Sequence, residues 1–272
     1  MAVIGTGGTG SATAEQLVRL GVTDLVLVDH DILSPSNLTR MYGAFATSIR
    51  KTWWPWSCPV RKVNLVANHL RRINPLIKVA KIPRHIAEHT AARSLLDRDV
   101  IFLCTDDHWG RSIVNQLVYQ YYIPAINMGM HIAASNGSIA GASGCVDILR
   151  PDLPCLWCRQ FLRADRIAAE SKPVKDRSAL IKEGYVQDID TPAPSVISVN
   201  TTLSGLAVTA FLQLMTDFMG ENGNISRLNY DIMEGTVRRG TTKIADSCIC
   251  RKVRGYGDLK SLFTIDHVAH CS

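Results

Sequence analysis

The chain of 272 residues has no long basic run, no uninterrupted apolar stretch of membrane length and no metal-spaced histidine pair such as HxxxH. Its 30 Lys and Arg are scattered against 24 Asp and Glu, for a net charge of +6. The densest cluster, Arg61-Lys62 with Arg71-Arg72, reads as a solvated helix face, so nucleic acid is not the expected partner. The longest apolar helix candidate, Ser195 to Met215, is interrupted by Asn200, Thr201, Thr202, Ser204 and Gln213. It reads as too polar for a span of roughly 20 apolar residues, and no membrane association is expected. The opening residues MAVIG carry no basic region or cleavage site, which predicts a cytoplasmic protein. There is no GxSxG elbow and no candidate catalytic triad. With 46% hydrophobic and 20% charged residues, the composition is that of a globular protein with a sizeable core.

The eight cysteines are Cys58, Cys104, Cys145, Cys155, Cys158, Cys248, Cys250 and Cys271. An even count suits a disulfide framework in a small secreted chain, and this chain is neither small nor evidently secreted. Four of them form two close pairs, Cys155-Leu156-Trp157-Cys158 and Cys248-Ile249-Cys250, which points to metal. Cys104 and Cys145 read as core residues on strands.

Strand-like and helix-like patterns alternate along the first half. Residues 1–4 read as a strand, Gly5–Gly10 as a turn and Ser11–Leu20 as a helix. Asp24–Asp29, Ile77–Ile82, Asp99–Cys104 and Pro124–Met128 read as buried strands. Arg61–Ile73, Thr90–Asp97 and Arg111–Tyr121 read as helices. This order predicts an α/β fold, a Rossmann-like doubly wound, mostly parallel sheet with helices on both faces. Residues 141–149 read as a further strand, 159–194 as a long polar crossing loop, 195–219 as an apolar helix, and 225–232 and 236–244 as C-terminal strands that extend the sheet in antiparallel fashion.

The stretch Gly5-Thr6-Gly7-Gly8-Thr9-Gly10 follows a strand and precedes a helix, and Asp29 ends the next strand. In such a unit Gly5 allows the tight turn, Gly7 and Gly8 expose backbone to phosphate, and Gly10 lets the helix approach the sheet. The helix N-terminus then faces the anion. Asp29 would accept hydrogen bonds from ribose hydroxyls, a feature common to NAD and ATP sites. Beyond it, Ser36-Asn37-Leu38-Thr39-Arg40 offers an Asn and an Arg, which suit a triphosphate better than a dinucleotide. Cys104-Thr105-Asp106-Asp107 ends a central strand, followed by Arg111 and Asn115. A carboxylate there lies in the ligand crevice, where beside a triphosphate it suits Mg²⁺.

Together, the glycine turn, the LVLVDHD and SNLTR runs, a basic residue before a helix, CTDD with Arg111 and Asn115, and the two cysteine pairs resemble the ThiF/MoeB/HesA superfamily. That is the fold of ubiquitin-activating enzymes and their bacterial relatives, and the resemblance covers roughly residues 1–250. It implies a single adenylation domain over 1–272, with a nucleotide-binding half at 1–135, a crossing loop at 159–194 and zinc-knuckle elements at 155–158 and 248–250. It implies adenylation, with ATP and Mg²⁺, of the C-terminal Gly-Gly carboxylate of a ubiquitin-like or sulfur-carrier protein, and a homodimer in which helix 195–219 is either a contact or part of its own core. By resemblance, Gly5, Gly7, Gly8 and Gly10 form the phosphate loop, Asp29 is the ribose acid, Asn37 and Arg40 meet the triphosphate, Lys62 is the phosphate lysine with Lys51 its rival, and Asp106 binds magnesium. Cys155, Cys158, Cys248 and Cys250 match a structural zinc site, with CxC in place of the second CxxC. The alternatives are an NAD(P)-dependent oxidoreductase and an inactive nucleotide-binding half of a heterodimer.

The family's usual helix before the first strand, which supplies an arginine to the partner subunit, has no counterpart here; a missing segment or a second chain is the expected explanation. Residues 159–194 carry no cysteine, so no thioester is expected on that loop. The stretch Trp53-Trp54-Pro55-Trp56 reads as an insertion between Arg40 and Lys62, serving as a lid, a docking knob or a self-packed loop.

Overall fold

The computed structural model describes residues 1–50, 59–135, 138–173, 176–177 and 195–265. Lys51, the tryptophans at 53, 54 and 56, Cys58, Cys271 and most of the expected crossing loop lie outside the described residues.

Eight strands form one sheet in the order β3-β2-β1-β4-β5-β6-β7-β8. β1 (Ala2–Ile4), β2 (Asp24–Val28), β3 (Lys78–Ile82), β4 (Ile101–Leu103) and β5 (Ala125–Ser135) are mutually parallel. β6 (Ser138–Leu149), β7 (Arg227–Asp231) and β8 (Thr236–Gly240) continue antiparallel. The chain winds outward from β1 to β3, then returns to place β4 on the other side of β1. The reversal opens a crevice at the carboxyl ends of β1 and β4, the position where doubly wound sheets hold ligands.

Eight helices are described: α1 (Gly8–Arg19), α2 (Ala46–Arg50), α3 (Lys62–Ile73), α4 (His89–Arg93), α5 (His108–Tyr121), α6 (Ala164–Glu170), α7 (Ile197–Thr216) and α8 (Ile249–Lys252). The central strands are apolar on both faces because both faces are covered. Val3, Leu25, Leu27 and Phe102 pack with Leu17, Val66, Leu70, Leu203 and Phe211 on one side. Ala2, Ile4, Val28 and Leu103 pack with Ile113, Leu117 and Leu156 on the other. Each such side chain, fully buried, contributes about 1.5–3 kcal/mol of transfer free energy.

Several boundaries differ from the sequence reading, each for a local reason. α1 starts at Gly8 instead of Ser11, so the glycine turn itself supplies the first helical turn. α5 starts at His108 because Asp107 caps it, accepting from the Gly110 N–H. β5 extends to Ser135, well past Met128, and pairs with β6 in a long hairpin whose glycine- and alanine-rich sequence carries little strand signal. By length and composition α7 is apolar enough to cross a membrane, contrary to expectation, with mean hydropathy 1.3. Its packing places it in the core: Leu203, Ala207, Val208, Ala210 and Phe211 are buried against this chain's own sheet. The buried Phe211 ring meets Phe102 edge-on at 5.6 Å.

Candidate nucleotide-binding cleft

A cleft of about 1220 Å³ opens at the crevice. Its walls include Gly5, Gly7, Gly8, Asp29, Asn37, Arg40, Lys62 and Asp106. All the expected polar site residues therefore meet in one cavity, although they come from four separate segments.

The glycine turn is built by two constraints. Gly5 has φ +82°, in the left-handed region that a side chain rarely adopts, and its N–H donates to the Val28 carbonyl at 2.8 Å. A Cβ on Gly10 would overlap the Gly5 carbonyl oxygen, so Gly10 serves helix packing and does not line the cleft. Gly7 has open space where a side chain would stand. Gly8 lines the cleft but its outer side is filled by Asn200 and the Arg40 carbonyl, so crowding by the protein accounts for it as much as backbone exposure does.

Asn200 belongs to α7, and its neighbours complete the cover over α1. Thr9 Oγ1 donates to Asn200 Oδ1 at 3.4 Å, Ser204 Oγ donates to the Thr9 carbonyl at 2.9 Å, and Thr13 Oγ1 donates to Ser204 Oγ at 3.1 Å. Two of the polar residues that interrupt this apolar helix, Asn200 and Ser204, thus fasten it to the glycine helix.

Asp29 is 8% exposed. Its Oδ2 accepts from the Thr6 N–H at 2.6 Å and from Thr6 Oγ1 at 2.9 Å, and its Oδ1 accepts from the Asp31 N–H at 2.8 Å. The carboxylate is thereby fixed in orientation at the cleft wall. Asn37 is buried, and its Oδ1 accepts from the Ser34 N–H and Oγ at 2.9 and 3.0 Å, closing a short 3₁₀ turn. This turn carries the chain to Arg40. Among the described residues the Arg40 guanidinium and the Asp106 carboxylate have no ion-pair or hydrogen-bond partner, and both face the cleft.

Lys62 is far from Arg40 in sequence, yet the chain returns to the same place. Ile32 and Arg61 form an antiparallel bridge, and the Leu33 N–H donates to the Val60 carbonyl at 2.8 Å. Lys62 Nζ donates to Asp31 Oδ2 at 2.6 Å. Burial works against the Asp31 charge, but Lys62 outweighs it and holds the carboxyl below its ordinary value.

Asp107 shares the strand-end motif with Asp106 but is held quite differently, and its neighbours His85 and Glu170 carried no sequence signal. Asp107 accepts from Thr105 Oγ1 and the Gly110 N–H and lies 3.4 Å from His85 Nε2. Against its burial, His85 and these donors hold Asp107 well below the carboxylate range. His85 follows β3, and its ring packs between His30 at 4.9 Å and Trp109 at 5.8 Å. Glu170, at the end of α6, accepts from the Trp109 N–H at 2.7 Å, and burial pushes its carboxyl up. Lys172 and Arg177, within the expected crossing loop, also line the cleft.

Arg111 and Asn115 do not act as free ligands. Arg111 donates through Nε and Nη2 to the Thr105 carbonyl at 3.0 and 2.7 Å and through Nη2 to the Met128 carbonyl at 3.2 Å, and its guanidinium lies 4.6 Å from the Phe161 ring centroid. It pins the turn that carries Asp106. Asn115 Oδ1 accepts from the Leu156 N–H at 2.9 Å, holding the first cysteine pair.

The sulfurs of Cys155, Cys158, Cys248 and Cys250 lie within 4.8 Å of one another. Cys155 lies 3.7 Å from Cys158 and 3.4 Å from Cys248, and Cys158 lies 3.8 Å from Cys250, sulfur to sulfur. A tetrahedral ion with ligands at about 2.3 Å places its sulfurs about 3.8 Å apart. The CxC spacing of the second pair therefore still delivers a four-sulfur cage. Arg159, immediately after the first pair, donates to the Pro154 carbonyl at 3.0 Å and to Ser226 Oγ at 2.9 Å, and lies 3.5 Å from buried Asp147.

The fold is shared with solved structures. A crystal structure of E. coli MccB with ATP has a TM-score of 0.66 at 16% identity, covering 91% of this chain and 65% of that one. PaaA has a TM-score of 0.60 at 14% identity, covering 88% of this chain and 72% of that one. In sequence, the chain is 25% identical to the SAMP-activating enzyme E1 of Haloferax volcanii over 271 residues, covering 99% of this chain and 85% of the relative. It is 24% identical to ubiquitin-like modifier-activating enzyme 5 of Xenopus laevis, covering 93% of this chain but 59% of the relative. Several of these relatives are thus longer than the chain described here. Residues 1–251 match the ThiF family as a whole, and the chain belongs to it.

Proposed function

We propose that the cleft binds Mg·ATP and adenylates the C-terminal glycine carboxylate of a small ubiquitin-like or sulfur-carrier protein, releasing pyrophosphate. The observation that carries this is the convergence of the glycine turn, Asp29, Asn37, Arg40, Lys62 and Asp106 on one cleft at the switch point of the sheet. Activating enzymes and adenylyltransferases among the relatives support the same chemistry.

In this reaction a carboxylate oxygen bonds to the α-phosphorus, and the bond from that phosphorus to the bridging oxygen of the β-phosphate breaks. The nucleophile is already ionised, so no general base is needed. The protein must screen anion–anion repulsion and align the attack. The N–H groups at the start of α1 and Arg40, unpaired among the described residues, meet the phosphates. Lys62 exchanges Asp31 for a phosphate oxygen. Asp29, held by Thr6, accepts from the ribose hydroxyls. The carboxylate of Asp106, without a partner among the described residues, suits a hard divalent cation, and bound magnesium would neutralise phosphate charge. The four cysteines suit a structural zinc ion, all four positions being thiolate.

The homodimer and the cytoplasmic setting belong to this proposal too, as does the single adenylation domain. Reduced thiols reserved for metal fit a reducing compartment. Neither Cys104 nor Cys145 suits a thioester role: burial pushes their thiols up to about 12 and about 11.

The test is ATP–pyrophosphate exchange with Gly-Gly-ended carrier proteins, run beside an NADH oxidation assay. Exchange dependent on both carrier and magnesium is the expected result. Its absence with every carrier, or nicotinamide turnover in its place, would overturn the proposal.

A further inference from the structure

The family match ends at residue 251, yet the chain beyond it returns to the nucleotide cleft. After α8 it runs along α5. The Gly255 N–H donates to the Tyr119 carbonyl at 2.9 Å, and Asp258 accepts from the Tyr121 hydroxyl at 2.8 Å and pairs with Arg93 at 2.7 Å. A short strap follows, Leu262-Phe263-Thr264-Ile265. Leu262 and Thr264 are buried and anchor it, whereas Ile265 is 39% exposed and lines the cleft.

The strap holds two of the rings in the cleft wall. The Phe263 carbonyl accepts from Trp109 Nε1 at 2.9 Å, and the Phe263 N–H donates to Gln116 Oε1 at 3.1 Å. The Ile265 N–H donates to the Ala87 carbonyl at 2.8 Å, and the Ala87 N–H donates to His85 Nδ1 at 3.1 Å. Trp109 is thus fixed directly, and His85 through Ala87. The groups expected to meet phosphate lie on the other side of the sheet. Leu17 of α1, Met41 beside Arg40 and Val63 beside Lys62 pack in one core, and Ile86, Trp109 and Leu262 pack in the other. Asp29 ends β2, between the two. A ribose held there carries its phosphates and its base on different carbons. A nucleotide whose phosphates lie over α1 therefore turns its base toward the second side. His30, His85, Ile86, Trp109 and Ile265 line the cleft there, rings and aliphatic groups that suit a flat heterocycle.

Resting on the proposed adenylation, we infer that this C-terminal strap is a wall of the purine pocket, with Ile265 packing against the base and Phe263 positioning Trp109 through its main chain. Ile265 then sets nucleotide affinity from a segment outside the family match. Its contact is with the base alone, so it contributes equally before and during the reaction.

The test is calorimetric titration of the full chain with three probes: a non-hydrolysable ATP analogue with magnesium, AMP, and inorganic tripolyphosphate with magnesium. Ile265→Ala should weaken the ATP analogue and AMP by the same factor, roughly tenfold, the lower end of what a lost apolar contact in a pocket is worth. Tripolyphosphate binding should not change. Ile265→Val should fall between the variant and the parent. In pyrophosphate exchange, Ile265→Ala should raise the KM for ATP and leave kcat unaltered, the pattern of a lost uniform contact. Because Ile265 is partly exposed, its melting temperature should stay that of the parent. Unchanged binding of the ATP analogue and AMP in Ile265→Ala, or a loss shared by tripolyphosphate, would overturn the inference. Nucleotide binding that depends on Ile265 without any exchange would sink the adenylation proposal alone. Exchange with an unaltered KM in Ile265→Ala would sink the strap's role alone.

Discussion

Asp106 and Asp107 share one turn but are held differently. Asp107 caps α5 and pairs with His85, whereas Asp106 is exposed to the cleft without a partner among the described residues. Asp106→Ala should therefore reduce pyrophosphate exchange by about 100-fold and leave the melting temperature unchanged, measured on the same preparation. Asp107→Ala should cost about 1 kcal/mol from the lost cap alone, read by urea unfolding. The acid limb distinguishes them further. The folded-state value of Asp107 is depressed, so its contribution is complete above its ordinary value of 3.8 and is lost as pH falls through the folded value. Asp107→Asn should flatten the fall of stability below about pH 4; an unaltered profile would contradict the assignment. At this scale the sequence was most readable where residue type and strand end coincide, as at Asp29 and Asp106. His85 and Glu170 were unreadable because they reach the cleft from segments with no periodic or motif signal. Lys62 was obscured by spacing, since the Ile32–Arg61 bridge that closes the intervening loop is a tertiary contact.

The glycine turn, α1 and α7 form one unit, in which each glycine has a different tolerance. A Gly10 side chain would meet the Gly5 carbonyl, whereas a Gly7 side chain would meet nothing within 4 Å. Gly10→Ala should cost at least the roughly 1–3 kcal/mol of an overpacked core site and give little soluble protein. Gly7→Ala should fold normally, and circular dichroism melts would separate the two. The cysteine knuckle is a second unit, tied to α5 through Asn115 and to β6 through Arg159. One zinc per chain is expected by elemental analysis. Cys248→Ser should lose it and lower Tm by roughly 10 °C, the shift produced by about 3 kcal/mol in a chain of this size. Retention of metal in that variant would refute the four-thiolate site. Periodicity located most of these elements. It found the 124–128 and 141–149 parts of the β5–β6 hairpin but missed its extension through 129–135 and 138–140, where small residues such as Gly129 pack against Phe161 in a way that no local pattern announces.

Across the whole molecule, the parallel half carries the candidate nucleotide cleft and the antiparallel half a second, smaller cavity, with Arg111 lining both. Mg·ATP at about 100 times its Kd should raise unfolding free energy by about 2.7 kcal/mol, visible as a Tm increase; magnesium chelation should remove most of it. The doubly wound order was legible from alternating patterns, whereas the fate of α7 was not, because an apolar helix looks alike in a core, an interface or a bilayer. Its fastening to α1 has a consequence for how the protein is made. The hydrogen bonds between Thr9 and Asn200 and between Thr13 and Ser204 each span 191 residues. A ribosome releases the first helix long before the chain that shelters it, so Gly8 and its neighbours spend most of translation uncovered. The nucleotide pocket is then finished only after α7 has emerged, 191 residues behind the glycine helix it covers.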